Sequence, residues 1–185
     1  MIGKIVDRAT VTTAVCLMTA GCATSLTELT TEPDPPTETF GTFNAVELVT
    51  TAIAPAFAET DTNKKAASRI HEHLVEKLGA VFPNLTLVED SAGIAETKTL
   101  VIRPVIKEIK FVGRAARFWV GALPGSSAVL MEVRFIDKQS GALVARPEFY
   151  RSAGAIRGAL TVGATDNTML AIVANDASTY AASNR

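Results

Sequence analysis

The segment 128–137, AVLMEVRFID, alternates apolar and charged side chains with a period of two residues, which is the period of a β-strand. One face of this strand carries Val129, Met131, Val133 and Phe135. The opposite face carries Glu132 and Arg134. Alternation of this kind predicts a sheet with one face on an apolar core and the other face toward water or a partner.

Four further segments have the composition of β-strands, at residues 43–51, 84–90, 99–112 and 142–151. Pro104 lies within the third of them, and because proline has no N–H to donate, it predicts an edge position or a bulge. The residues from Lys138 to Gly141 separate two of the segments and predict a hairpin.

Two segments, 62–78 and 166–182, have the apolar spacing of amphipathic helices. Asp61 or Thr62 is expected to cap the first helix, and Gly79 to end it. The apolar stripes are Ile70, Leu74 and Leu78 in the first helix, and Met169, Ile172, Val173, Ala177 and Tyr180 in the second. The predicted fold is a two-layer α+β domain with a mostly antiparallel sheet, in the order β-α-β-β-β-β-α, with both helices on one face.

Length and charge limit the function classes. A chain of 185 residues predicts one domain, and a net charge of −1 gives no field that would attract nucleic acid. Residues 9–20 carry no charge and follow a weakly positive segment, residues 1–8, in which Lys4 and Arg8 outweigh Asp7. This uncharged run has the length of the apolar part of a signal peptide and is too short to span a membrane.

The run ends at Thr19-Ala20-Gly21-Cys22, which resembles the lipobox of bacterial lipoproteins, with Thr19 standing where leucine is usual. The resemblance implies a signal peptide at 1–21 and diacylglycerol and palmitate chains on Cys22. By the sorting rule of such proteins, Ala23 implies the outer membrane, with the domain in the periplasm. The alternative is an ordinary cleaved signal, which would release a soluble secreted or periplasmic protein.

The processed chain would keep Cys22 and lose Cys16, so no internal disulfide is expected. Residues 22–42 are rich in Thr, Glu and Pro and are predicted to form a flexible tether. An irregular arm packed on the domain is the alternative. Residues 43–185 are then the single folded domain.

The segment order resembles a family of bacterial lipoproteins described as a domain of unknown function (number 4410). The likeness is carried by Gly113-Arg114 with Arg117, the glycine turn before Ser127-Ala128, the Asp137–Gly141 hairpin and residues 163–170, GATDNTML. It implies the fold and the location, and it brings no known activity.

Few residues are arranged for chemistry. His71 and His73 are two apart on the first predicted helix, so they point to different sides, and we expect solvated histidines rather than metal ligands. Residues 121–127, GALPGSS, lack the Lys-Ser/Thr pair of a phosphate loop and predict a turn. No catalytic residue, metal site or cofactor is expected apart from the lipid on Cys22. An envelope hydrolase is the least favoured hypothesis.

Positive charge is concentrated between residues 103 and 117, beside aromatic residues. The residues concerned are Arg103, Lys107, Lys110, Arg114 and Arg117, with Phe111, Phe118 and Trp119. They are interpreted either as a solvated strand face next to core aromatics, or as a surface for an anionic lipid headgroup, a glycan or a partner protein. Other envelope proteins or a second copy are the partners that this hypothesis allows.

Overall fold

The computed structural model describes residues 32–93, 95–111, 127–153 and 164–185. Within these ranges the chain forms seven strands and two α-helices. They are β1 Ala45–Val49, β2 Ala52–Ile53, α1 Asp61–Val81, β3 Leu85–Val88, β4 Thr99–Lys110, β5 Ala128–Asp137, β6 Leu143–Ala145, β7 Glu148–Ser152 and α2 Ala164–Ser183.

The strands form one sheet in the order β3-β1-β4-β5-β6. β2 continues the line of β1 along β4, and β7 lies in line with β6 along β5. β4 pairs with β5, and β5 with β6 and β7, in the antiparallel sense. The pairs formed by β1 and β2 are parallel. The predicted two-layer α+β fold with a mostly antiparallel sheet is therefore confirmed.

Both helices contribute to the same apolar core, on one face of the sheet. α1 buries Ala66, Ala67, Ile70, Leu74 and Leu78. α2 buries Met169, Leu170, Val173, Ala174, Ala177 and Ala181. The two helices also pack against each other along their length. The opposite face of the sheet has no helix among the described residues, and we call it the helix-free face; it carries Glu47, Arg103, Lys107, Glu132, Arg134 and Glu148.

The strand predicted at 128–137 is confirmed as β5, with its apolar face in the core. The edge position predicted from Pro104 is wrong, because β4 lies in the middle of the sheet. Pro104 is tolerated there because it faces the break between β1 and β2 on one side. On the other side it is opposite Val133, whose N–H donates to Pro147 O at 3.0 Å instead. A bulge does occur in β4, between Ile106 and Glu108.

The single strand predicted at 142–151 is two short strands. Arg146 and Pro147 separate β6 from β7, since proline cannot donate to the ladder. The predicted hairpin at 138–141 is present, and Gly141 there has φ of 72°. Its N–H donates to Asp137 O at 2.8 Å, and Asp137 also accepts from Gln139 N at 2.9 Å.

Helix α1 begins one residue earlier than predicted and ends later. Thr60 is its N-cap and accepts from Asn63 N, so neither Asp61 nor Thr62 caps it. Gly79 does not end the helix, which continues to Val81, because the chain stays in right-handed helical geometry there. A glycine ends a helix only where the chain needs a left-handed residue.

Residues 32–42, which we call the arm, pack on the domain, whereas the sequence predicted a flexible tether up to residue 42. Thr37 N–H donates to Val144 O at 2.9 Å, and Phe40 N–H donates to Asn184 O at 2.8 Å. Phe40 is buried in the core with 1% of its surface exposed. One large aromatic side chain and a few backbone hydrogen bonds are enough to order this arm, although its composition is that of a linker.

Candidate functional site

The predicted partner surface is only partly within the described residues. Lys107 and Lys110 lie at the end of β4, and Lys110 is exposed. Arg114, Arg117 and Trp119, like Cys22, lie outside the described residues. Of the predicted partner surface formed by Lys107, Lys110, Arg114, Arg117 and Trp119, the structure therefore places the two lysines, and the other three residues remain predictions.

Lys107 lies in an ionic cluster on the helix-free face. Its Nζ is 2.9 Å from Glu148 Oε1 and 3.5 Å from Glu132 Oε2. The two carboxylates are cross-strand neighbours on β7 and β5, a pairing of like charges that destabilises a sheet. Lys107 bridges them and removes the repulsion. The hydrogen bond from Lys107 to Glu148 also raises the pKa of the lysine, although partial burial opposes this shift.

Glu132 is the centre of this cluster and is fully buried. Its Oε1 accepts from Arg134 Nε at 2.6 Å, and its Oε2 accepts from Arg146 Nε at 2.8 Å. Burial acts to raise the pKa of Glu132, but the hydrogen bonds and charges of Arg146 and Arg134 outweigh it and hold the pKa below its ordinary value. Glu132 is therefore an ionised carboxylate that fixes two guanidinium groups.

The two arginines are half exposed, with 47% of the Arg134 side chain and 50% of the Arg146 side chain accessible. A guanidinium has five N–H donors in a planar fork, and Glu132 uses only some of them. Held in place by Glu132, the two forks are preorganised to bind a further anionic or polar group. Counting Lys107, Arg134 and Arg146 against Glu132 and Glu148, the cluster has one positive charge in excess.

Sequence reasoning placed Glu132 and Arg134 on the solvent face but did not identify this centre. The signal was weak, because Arg146 lies fourteen residues from Glu132 and joins it only through the β5–β6 pairing. The signal that the sequence offers is Glu132 next to Arg134 on one face of an otherwise largely apolar strand. In a strand, a charged residue that is fully buried needs partners of opposite charge.

A second ionic group lies on the same face, toward β1. Lys138 Nζ is 2.6 Å from Glu47 Oε1, and Ser91 Oγ donates to Glu47 Oε2 at 2.6 Å. Burial acts to raise the pKa of Glu47, but the bonds from Lys138 and Ser91 lower it overall. Arg103, part of the predicted basic segment, pairs with Asp90 at 3.0 Å. Two of the predicted basic residues, Arg103 and Lys107, are thus neutralised by carboxylates.

His71 was expected to be solvated, but it is half buried. It lies in a cleft of about 390 Å³ between α1 and the break between β1 and β2. Its Nδ1 is 3.3 Å from Thr51 Oγ1. Burial lowers the pKa of His71, and the charge of Glu72 partly offsets that shift. Thr51 is only 8% exposed. The described residues contain no group of three His, Cys, Asp or Glu side chains that could hold a metal ion.

The described part of the chain has two α-helices that are long enough to compare with a membrane-spanning helix. Neither α1 nor α2 combines the length and the apolar character that a bilayer-crossing helix needs.

Residues 38–183 match the family described as a domain of unknown function, DUF4410, and the chain belongs to this family. The family resemblance seen in the sequence is thereby confirmed. The match begins within the arm, in agreement with its packing. No curated protein matches the sequence.

Solved structures with a similar fold include a dodecamer of PelC from Paraburkholderia phytofirmans, 18% identical, covering 77% of this chain and 91% of PelC with a TM-score of 0.43. A protein of the family DUF330 from Xanthomonas campestris is 9% identical, covering 78% of this chain and 82% of its own, with a TM-score of 0.45. A minor lipoprotein from Acinetobacter baumannii is 14% identical, covering 75% and 94%, with a TM-score of 0.35. These likenesses are weak, and the family assignment depends on the sequence match alone.

Proposed function

We propose that this protein is a non-enzymatic lipoprotein of the bacterial cell envelope, anchored in the outer membrane by lipid on Cys22, with its domain in the periplasm. The observation that carries the anchor is the sequence Thr19-Ala20-Gly21-Cys22 after an uncharged run. A thioether-linked diacylglycerol together with a third acyl chain holds a protein firmly at a bilayer, since each buried CH₂ contributes about 0.8 kcal/mol.

Metabolic labelling with palmitate tests the anchor, and the chain offers a matched control. Wild type and Cys16→Ala are expected to incorporate label and to fractionate with membranes, because Cys16 lies in the signal peptide. Cys22→Ala is expected to lose the label. A labelled Cys22→Ala protein, or an unlabelled wild type found among soluble periplasmic proteins, would favour the alternative of a soluble binding module.

We further propose that the domain binds other envelope components, or a second copy of itself, through the helix-free face. The cluster around Glu132 supports this role because it presents two half-exposed guanidinium groups in fixed positions. Exposed Lys110 extends the positive surface from the end of β4. Such a surface suits a partner that offers carboxylates or phosphates.

Cross-linking in intact cells followed by mass spectrometry tests this surface. The variant Lys110→Glu is expected to recover less cross-linked partner at unchanged abundance, because Lys110 is exposed and its change leaves the partners of Glu132 in place. The matched control, Lys65→Glu, makes the same charge change at an exposed position on α1. Equal recovery from the two variants would remove the helix-free face as the binding surface.

A hydrolase is the competing class, and the contact between Thr51 and His71 is the observation that could favour it. A hydroxyl beside an imidazole resembles the first half of a nucleophile–base pair. Thr51, however, is almost fully buried, whereas a nucleophile acting on an envelope polymer must be reached by that polymer. We therefore propose a packing role for this pair and no catalytic activity.

A further inference from the structure

A cleft of about 630 Å³ lies between the arm, strand β7 and helix α2. The arm contributes Glu32, Pro33 and Pro35 to its wall. The cleft exists because the arm follows the sheet edge only as far as Thr37, which bonds to Val144 on β6. The prolines that precede Thr37 cannot donate to β7, so the arm stands away from that strand. Its volume is within the range of small-molecule sites.

The floor of the cleft is aromatic. Tyr180 packs among Phe40, Phe135 and Phe149, with ring centroids 6.1, 5.8 and 6.2 Å away. The Tyr180 hydroxyl donates to Asp34 O at 2.7 Å, which fixes the arm over the cleft. Burial raises the pKa of Tyr180, and the charge of Asp34 adds to the shift, so the hydroxyl remains a donor. Tyr150 also borders the cleft, but it alternates with Phe149 and lies on the same side of β7 as Glu148.

Most charges around the cleft are already neutralised within the protein. Arg151 binds Asp176 through two hydrogen bonds, of 2.6 and 2.9 Å. Glu148 is paired with Lys107. Glu32 adds an exposed carboxylate at the outer end of the arm, and the other polar groups include the hydroxyls of Thr179 and Ser183 and the carboxamide of Asn184. The hydroxyls and the carboxamide donate and accept hydrogen bonds without carrying charge.

From this combination we infer that the cleft binds an uncharged saccharide. The apolar face of a sugar ring packs on aromatic side chains, and its hydroxyls need the uncharged donors and acceptors that Thr179, Ser183 and Asn184 supply. A charged ligand would have to compete with ion pairs that are already formed. The cleft lies at the edge of the sheet, where Glu148 and Tyr150, on one side of β7, border both the cleft and the helix-free face.

The site would be close to the membrane, a point that depends on the proposed anchor. Glu32 is the tenth residue after Cys22, and ten steps along the chain of at most about 3.6 Å each span about 36 Å. A saccharide at the membrane surface is therefore within reach. Binding itself does not depend on the anchor, so the titration below and the palmitate labelling can fail independently.

The test is a titration of the purified full-length protein in a detergent without a sugar headgroup, since such a headgroup would compete. The probes are cellobiose, maltose and N,N′-diacetylchitobiose, followed by ligand-observed saturation-transfer NMR and by amide shifts of residues 148–152. At least one probe is expected to bind saturably. Thr179→Ala combined with Ser183→Ala, which removes both exposed hydroxyls of α2 from the cleft, is expected to weaken that binding at least tenfold.

Thr86→Ala is the control, because Thr86 is exposed on β3 at the opposite edge of the sheet. This variant should bind the saccharide probes with the affinity of the wild-type protein. Thermal unfolding identifies any variant that fails to fold, and in that case Thr179→Ala alone, an exposed change on α2, replaces the double variant. No saturable binding of any probe, or equal affinity in the cleft variant and the control, would overturn the inference.

Discussion

The ring of Phe40 stacks on the ring of Phe135, with centroids 4.5 Å apart and an interplanar angle of 19°. Phe40 belongs to a segment with the composition of a linker, and Phe135 lies in the central strand β5. This contact makes the arm part of the hydrophobic core. It also shortens the free chain that would separate a lipid on Cys22 from the folded domain.

Replacing Phe40 with alanine tests how much this contact contributes to the free energy of unfolding. Because Phe40 is buried and stacked, Phe40→Ala is expected to lower the free energy of unfolding by about 3–5 kcal/mol. Urea denaturation measures the change. Thr39→Ala, at the exposed neighbouring position, should change it by less than about 0.5 kcal/mol. Similar values for the two variants would show that the arm behaves as a tether.

Glu132→Gln tests the buried carboxylate. The variant leaves Lys107, Arg134 and Arg146 without their central counter-charge, so we expect a loss of about 1–3 kcal/mol of stability at neutral pH. Glu108→Gln, at a half-buried position on β4, is the control and should cost less than about 0.5 kcal/mol. Chemical denaturation of both variants at pH 7 gives the comparison.

The pH dependence of stability should follow from the same carboxylate. The pKa of Glu132 is lower in the folded protein than its ordinary value of 4.5, so the unfolded chain binds the proton more readily. The stabilisation is complete above about pH 4.5 and is lost as the pH falls through the lower folded pKa. Denaturation midpoints measured from pH 7 to pH 3 should fall less steeply in Glu132→Gln than in wild type. Parallel curves would contradict the assignment.

A second pH effect on stability is expected from His71. It arises from burial of an imidazole that becomes charged, whereas the effect of Glu132 arises from its cationic partners. Burial lowers the pKa of His71 below the ordinary 6.5, so protonation favours the unfolded chain. Stability should therefore decline as the pH falls below about 6.5 and level off below the folded pKa. Proton NMR titration of the imidazole would show the lowered pKa directly. A His71 pKa at or above 6.5 would show that the cleft is open to water.

Two glycines should respond to alanine in opposite directions. Gly141 has φ of 72° in the hairpin, so Gly141→Ala is expected to cost about 1–2 kcal/mol. Gly79 lies inside α1, with no atom within 4 Å of an added Cβ. Gly79→Ala should therefore raise stability by about 0.5–1 kcal/mol. Thermal or urea unfolding distinguishes the two signs, and a destabilised Gly79→Ala would mean that the helix end needs a glycine.

The local sequence pattern was sufficient to predict those strands and helices whose position depends only on residues within the element itself. The alternation in 128–137 identified β5 and its buried face, because side chains in a strand must alternate between faces whatever the neighbouring strands are. The helix positions followed from apolar spacing in the same way. The ends were less certain: Gly79 has the residue type of a helix stop, but only the backbone angle decides whether it acts as one.

The helix-free face shows why the site was harder to predict. Lys107 and Arg103 were visible as positive charges, but the carboxylates that neutralise them come from β7 and from the loop after β3. Such partners become known only when the strand register is known. Glu132 was assigned to the solvent face from its alternation, yet it is buried, because Arg134 and Arg146 close over it.

By itself, the sequence determined the class of fold, the strand and helix segments, the family and the lipobox-like segment at Cys22, since each depends on residues that are close together in the chain. Only the tertiary structure decided that the arm packs on the core, that Glu132 joins three cations, and that a cleft with an aromatic floor lies beside β7. Each of these depends on contacts between residues far apart in sequence. The free energy that forms them comes from burial and charge pairing across the whole sheet, which no local pattern records.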